Sequence, residues 1–64
     1  MSNKQVFGHK TIIEIFYTNK TSKLFKDVHS IEFNDTNMII HEYSGDSVHI
    51  KLNRISRFTV SDRW

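Results

Sequence analysis

The chain has 64 residues, no cysteine and only two glycines, Gly8 and Gly45. Without thiols there is no disulfide framework and no thiolate zinc site, two staples on which very small domains often rely. The same absence fits a reducing compartment. Two glycines do not make a phosphate-cradling loop, and neither a nucleophile elbow nor a His-Glu-x-x-His zinc motif is present. No apolar run is long enough for a signal peptide or a membrane span, so a cytoplasmic chain that does not engage the membrane is expected. Asn19-Lys20-Thr21 and Asn34-Asp35-Thr36 match the glycosylation acceptor pattern but, with no secretory signal beside them, read as polar loops.

What remains must hold together by packing. A chain of this length buries only about 60% of the surface its unfolded form exposes, and a single small sheet covers one of its faces. We therefore expect one small β domain over residues 10–64, preceded by a mobile lead-in over residues 1–9 that docks through Val6 and Phe7, and we expect it to form a homo-oligomer. The net charge of +2 is unevenly spread: residues 1–26 carry +4, residues 27–50 carry −5 and residues 51–64 carry +3. Such blocks serve complementary contacts within or between subunits, or mix to a neutral surface across adjacent strands.

Residues 10–18 are rich in β-branched and aromatic side chains with no helix cap before them, which predicts a strand. Ile13, Ile15 and Tyr17 fall on one side of it, and Ile12, Glu14 and Phe16 on the other. Residues 19–22 are a turn by composition. Over residues 24–33, Ile31 and Phe33 share a face with Phe25 while Val28 is out of phase, so a bulge or kink at residues 27–30 is expected. Leu24, Val28 and Ile31 also fit a helical spacing, which is the competing reading of residues 23–33. Residues 34–37 are the strongest turn signal. Strands at 38–43 and 47–53 follow, the second with Val48, Ile50 and Leu52 alternating cleanly, and a tight turn at 53–56 leads to a last strand carrying Ile55, Phe58 and Val60. The fold expected is all-β, a five-stranded antiparallel meander curled into a half-open small barrel.

Register follows from the turns, because a slip of one residue flips every side chain. With residues 34–37 as a four-residue loop, Phe33 opposes Met38 and Ile31 opposes Ile40. For Val48, Ile50 and Leu52 to join that face the next loop needs an odd number of residues, which Ser44, Gly45 and Asp46 supply. His41 then opposes His49, and Ile39 opposes Lys51. A two-residue turn at Gly45 and Asp46 would instead bury His41 and Tyr43, and burying a histidine without a partner costs energy. The preferred register leaves a second face carrying Glu32, Ile39, His41, Tyr43, His49 and Lys51. Of these, Ile39, His41, Tyr43, His49 and Lys51 are the expected partner-binding or oligomer face.

No catalytic constellation is legible, so an enzyme is not expected, and neither is a cofactor. His41 and His49, with Glu32 or Glu42, offer two histidines at predicted positions, too few to expect a metal site. The alternative function uses the basic end: Lys51, Arg54, Arg57 and Arg63, near Tyr43, Phe58 and Trp64, have the cation and aromatic content with which small barrels hold single strands or nucleotides.

The runs Val28-His29-Ser30-Ile31-Glu32-Phe33-Asn34-Asp35, Ile39-Ile40-His41-Glu42-Tyr43-Ser44-Gly45-Asp46 and Val48 through Val60, ending Ile55-Ser56-Arg57-Phe58-Thr59-Val60, resemble a layout of short β-meander proteins from Gram-positive bacteria and their phages. The resemblance covers residues 10–61. It implies a phage or mobile-element accessory protein that binds and inhibits or redirects a host component, including one of antiviral defence. The expected partners are thus a second copy of the chain and a host protein, with nucleic acid as the alternative.

Overall fold

Ile13 and Ile15, two residues apart and both fully buried, give residues 12–17 one dry side, and the rest of the chain is arranged to cover that side. A computed structural model describes residues 3–61. It contains seven strands: β1 (Asn3–Val6), β2 (Ile12–Tyr17), β3 (Ser22–Phe25), β4 (Val28–Phe33), β5 (Asn37–Glu42), β6 (Ser47–Lys51) and β7 (Ile55–Ser61), with a 3₁₀ turn at Leu52–Arg54 before the last. They form two antiparallel sheets, ordered β1-β4-β5-β6 and β3-β2-β7. The expected all-β class holds; the five-stranded meander curled into a half-open barrel gives way to seven strands in two facing antiparallel sheets, because the chain changes sheet three times, between β1 and β2, between β3 and β4 and between β6 and β7.

The change of sheet between β3 and β4 explains the irregular pattern over residues 24–33. Lys26 and Asp27 turn a corner between β3 and β4, with Asp27 at φ 54, a left-handed conformation that aspartate tolerates better than most residues. No helix forms there. Just beyond, Val28 opposes Glu42 while Ser30 opposes His41, so His29 is an extra residue. That bulge brings Val28 into phase with Ile31, and both are buried. The last change uses the 3₁₀ turn, which carries the chain from β6 to β7; the backbone amide of Leu52 donates to Thr36 O at 2.8 Å, and that of Thr18 to Arg54 O at 2.9 Å.

The core lies between the sheets. Ile13, Ile15 and Phe25 come from one sheet and Val28, Ile31, Met38, Ile40 and Ile50 from the other. Phe33 opposes Met38 and Ile31 opposes Ile40, as the four-residue loop requires. The side chain of Asn34 fixes that loop, its Oδ1 accepting from the amides of Thr36 at 2.9 Å and Asn37 at 2.7 Å.

The next loop has three residues, as expected, but begins one residue earlier. Glu42 N donates to Asp46 O at 2.9 Å, which makes Tyr43, Ser44 and Gly45 the loop, with Gly45 at φ 102. The faces of β5 and β6 are unchanged and the pairs shift by two: Ile39 opposes His49 and His41 opposes Ser47. The reason is tertiary. Tyr43 is drawn off the ladder, its amide donating to Asp27 O at 3.2 Å and its phenol to Phe7 O at 2.7 Å.

Those bonds also dock the start of the chain. Asn3–Val6, expected within the lead-in, pairs with β4 as β1, and Phe7 N donates to His29 O at 2.7 Å. Thr11 is buried, with its hydroxyl donating to Gly8 O at 3.0 Å and its carbonyl accepting from Val28 N at 3.0 Å. Asp27 completes the clasp: its Oδ1 accepts from Lys10 N at 3.0 Å and lies 3.3 Å from His9 Nδ1.

Two predictions follow the packing. Ile40 is fully buried at the centre of the core, so Ile40→Ala should lower the unfolding free energy by about 3 kcal/mol in a urea titration. The Asp27 carboxyl is held below its ordinary value of 3.8, first by the Lys10 amide, against a smaller desolvation effect, with help from His9. A carboxyl lowered on folding stabilises the fold above its ordinary value and stops doing so as the pH falls through the lowered one. Asp27→Asn keeps the left-handed tolerance and removes the charge. Its urea midpoint should lie below that of the parent at neutral pH, and the two should converge as the pH drops below 3.8.

Candidate functional site

The outer face of the first sheet is built from the residues between the core positions. Ile39, His41, His49 and Lys51 share it with Lys4, Val6 and Glu32. Four of the five residues expected on a contact face are thus together, while Tyr43 sits in the loop. His41 and His49 do not face each other. His41 is held instead by its neighbours in the ladder, with Nδ1 2.8 Å from Ser47 Oγ and Nε2 3.3 Å from Glu32 Oε1. Among the described residues no three His, Cys, Asp or Glu side chains converge to hold a metal ion.

A second cluster was not visible in the sequence. The rings of His9 and Tyr43 stack with centroids 3.8 Å apart, and His29 meets Tyr43 edge-on at 4.9 Å. The three lie far apart in the chain and are brought together by the pairing of β1, the bulge at His29 and the early loop at Tyr43. Only the out-of-phase Val28 hinted at that bulge.

The sheet edges differ in how they are protected. β1 and β3 have four residues each and carry Lys4 and Lys23, and β6 has five and ends in Lys51. β7 has seven residues and no proline, and among the described residues pairs only with β2. Its one charge, Arg57, lies on the outer face over the ring of Phe16, 3.9 Å from the centroid. Phe58 and Val60 oppose Ile15 and Ile13 and so point to the core side, yet they are 37% and 45% exposed while both isoleucines are 0% exposed. Phe58 reaches Phe33 at a centroid distance of 5.9 Å, and beyond it the core is uncovered.

The basic residues divide. Lys51 and Arg54 line an open cleft of about 760 Å³ between β6 and the end of β2, together with Tyr17, Thr18, His49 and Ile50. Arg57 lies on the far face of the second sheet, and Arg63 and Trp64 are outside the described residues. A single basic track over Lys51, Arg54 and Arg57 therefore does not form. No helix is long and apolar enough to cross a membrane among the described residues.

Set against known proteins, the chain matches no protein-family model, no curated protein and no solved structure.

Proposed function

We propose that the chain is a non-enzymatic binding protein that pairs with a second copy of itself along β7 and offers the outer face of its first sheet to a partner protein. The observation that carries this reading is the β7 edge: the longest strand, unpaired on one side, with Phe58 and Val60 left exposed beside fully buried isoleucines. Edge strands of folded monomers are normally shortened, charged or kinked against such pairing. β7 is neither short nor broken by proline; its bulge at Ser56 lies near its start, and its one charge, Arg57, is turned onto Phe16.

An antiparallel β7 pair centred on Thr59 is self-complementary, as a two-fold interface must be. It sets Phe58 of each copy against Val60 of the other on the core side, and Arg57 against Ser61 on the outer side. No like charges meet. Pairing extends the second sheet and covers the uncovered side of both cores, supplying burial that so short a chain lacks alone. It leaves Ile39, His41, His49 and Lys51 free on both copies. The resemblance of residues 10–61 to short β-meander proteins of Gram-positive bacteria and their phages supports a host component as the partner of that face.

Sedimentation velocity across the micromolar range tests the pairing. The parent should sediment as a dimer at the upper end, and Val60→Lys, which puts an inward charge on the edge, should weaken dimerisation roughly tenfold or more, about 1.4 kcal/mol, without changing the circular dichroism. β7 carries no histidine, so dimerisation should hold as the pH falls through about 6.5, where ordinary imidazoles charge. A parent that is monomeric throughout, or a Val60→Lys variant that dimerises as well as the parent, would refute the β7 interface.

A further inference from the structure

The cleft beside β6 holds a charge cluster that neither the core nor the β7 edge uses. One wall is β6 with Val48, His49, Ile50 and Lys51; the other is the end of β2 and its turn, with Tyr17, Thr18, Asn19 and Thr21, and Arg54 completes the rim. Among the described residues no carboxylate lines it. Among the described residues the contacts between a carboxylate and a basic side chain, His9 with Asp27 and His41 with Glu32, both lie elsewhere, and no carboxylate is within salt-bridge distance of Lys51 or Arg54. Lys51 also borders a smaller hollow of about 530 Å³ in which Asp35 stands, which makes it the ridge between the two.

The walls are fixed before any ligand arrives. Tyr17 N donates to Thr21 O at 2.8 Å and Lys20 N to Tyr17 O at 3.1 Å, closing the turn around Lys20 at φ 71. Asn19 Oδ1 accepts from the Thr21 hydroxyl at 2.6 Å, and the Thr18 amide ties this wall to Arg54 through its carbonyl at 2.9 Å. A preformed concavity of this size is in the range of small-molecule sites, about 300–1,000 Å³, and is larger than a bare phosphate needs.

We propose that this cleft binds a nucleotide, with Lys51 and Arg54 holding the phosphate and Tyr17, Val48 and Ile50 contacting the base. Arginine presents a planar fork that matches phosphate oxygens, and lysine adds a compact charge. An aromatic ring and two aliphatic side chains suit a planar, weakly polar base. The threonine hydroxyls and the Asn19 amide supply polar partners for a sugar. The phosphate-and-base chemistry is the same whether the nucleotide is free or terminates a strand.

The test is an amide chemical-shift titration of the folded chain with AMP, adenosine, inorganic phosphate and a short 5′-phosphorylated oligothymidylate. AMP should give saturable shifts confined to residues 17–21 and 48–54, while adenosine and phosphate alone each bind at least roughly tenfold more weakly because each fills half the site. Lys51→Gln or Arg54→Gln should weaken AMP by a similar factor, and Arg57→Gln, on the far face, should leave it unchanged. Oligonucleotide binding as tight as AMP, with the same dependence on Lys51 and Arg54, supports a strand end as the source. AMP that does not saturate, or binding weakened as much by Arg57→Gln as by the cleft variants, overturns the proposal. The cleft shares no residue with β7, so its failure leaves the dimer untouched.

Discussion

The corner at Asp27 holds the two sheets in register with the start of the chain. Its backbone takes the left-handed turn between β3 and β4, its carbonyl accepts from Tyr43, and its carboxylate receives Lys10 N and lies against His9. One residue therefore touches the segment after β1, the crossing between sheets and the loop after β5. Val28, next in sequence, is fully buried and donates to Thr11. In a domain with no disulfide and few residues to spare, such convergence replaces a staple with hydrogen bonds. Charge-assisted bonds of this kind contribute more than neutral ones.

The same economy leaves the core unfinished. Each sheet presents one apolar side to the other, but the four strands of the first are set over the three of the second with β7 at the margin. Ile13 and Ile15 are covered completely, and their cross-strand neighbours Val60 and Phe58 are not. Burial saturates at the centre of a small sandwich and falls away within one strand, about 4.8 Å. A longer chain would close this side with another element; in this one the proposed β7 pairing would close it.

Much of this fold was legible because the turns are chemically explicit. Asn34 makes the bonds that its position in a turn requires, so the pairing of Phe33 with Met38 could be derived from residue counts alone. The odd loop at Gly45 was legible in parity and not in position, since what moved it is Tyr43 bonding to Phe7 and Asp27, residues 36 and 16 places away. Faces are local and survive such a shift; facing pairs are not, and the expected meeting of His41 with His49 was lost with it. β1 was missed for a related reason: Asn3-Lys4-Gln5-Val6 has little β propensity, and it becomes a strand because β4 offers an edge. The open β7 edge was illegible in principle, because alternation shows which way Phe58 and Val60 point and not whether anything lies there.

The block pattern of charge acquires a meaning from the topology. Residues 27–50, which carry all but two of the acidic side chains, supply the centre of the first sheet, and the flanking basic segments return to it at its edges: Lys4 opposes Glu32 on β1, and Lys51 opposes Asn37 on β6. Charge on that sheet is therefore mixed by strand pairing, as an ordinary soluble surface requires. The second sheet receives no such compensation. Among the described residues Glu14 is its only acidic residue within a strand, against Lys23 and Arg57, with Lys20 in its turn and Arg54 at the crossing. The residual positive charge of the chain thus gathers on the sheet whose edge is open. The proposed binding of a nucleotide in the cleft and the proposed pairing at β7 do not compete, because Arg57 is turned onto Phe16 and away from both. The stacking leaves β7 without a central edge charge, and it is this local choice, one arginine lying over one phenylalanine, that makes the edge available for a second strand.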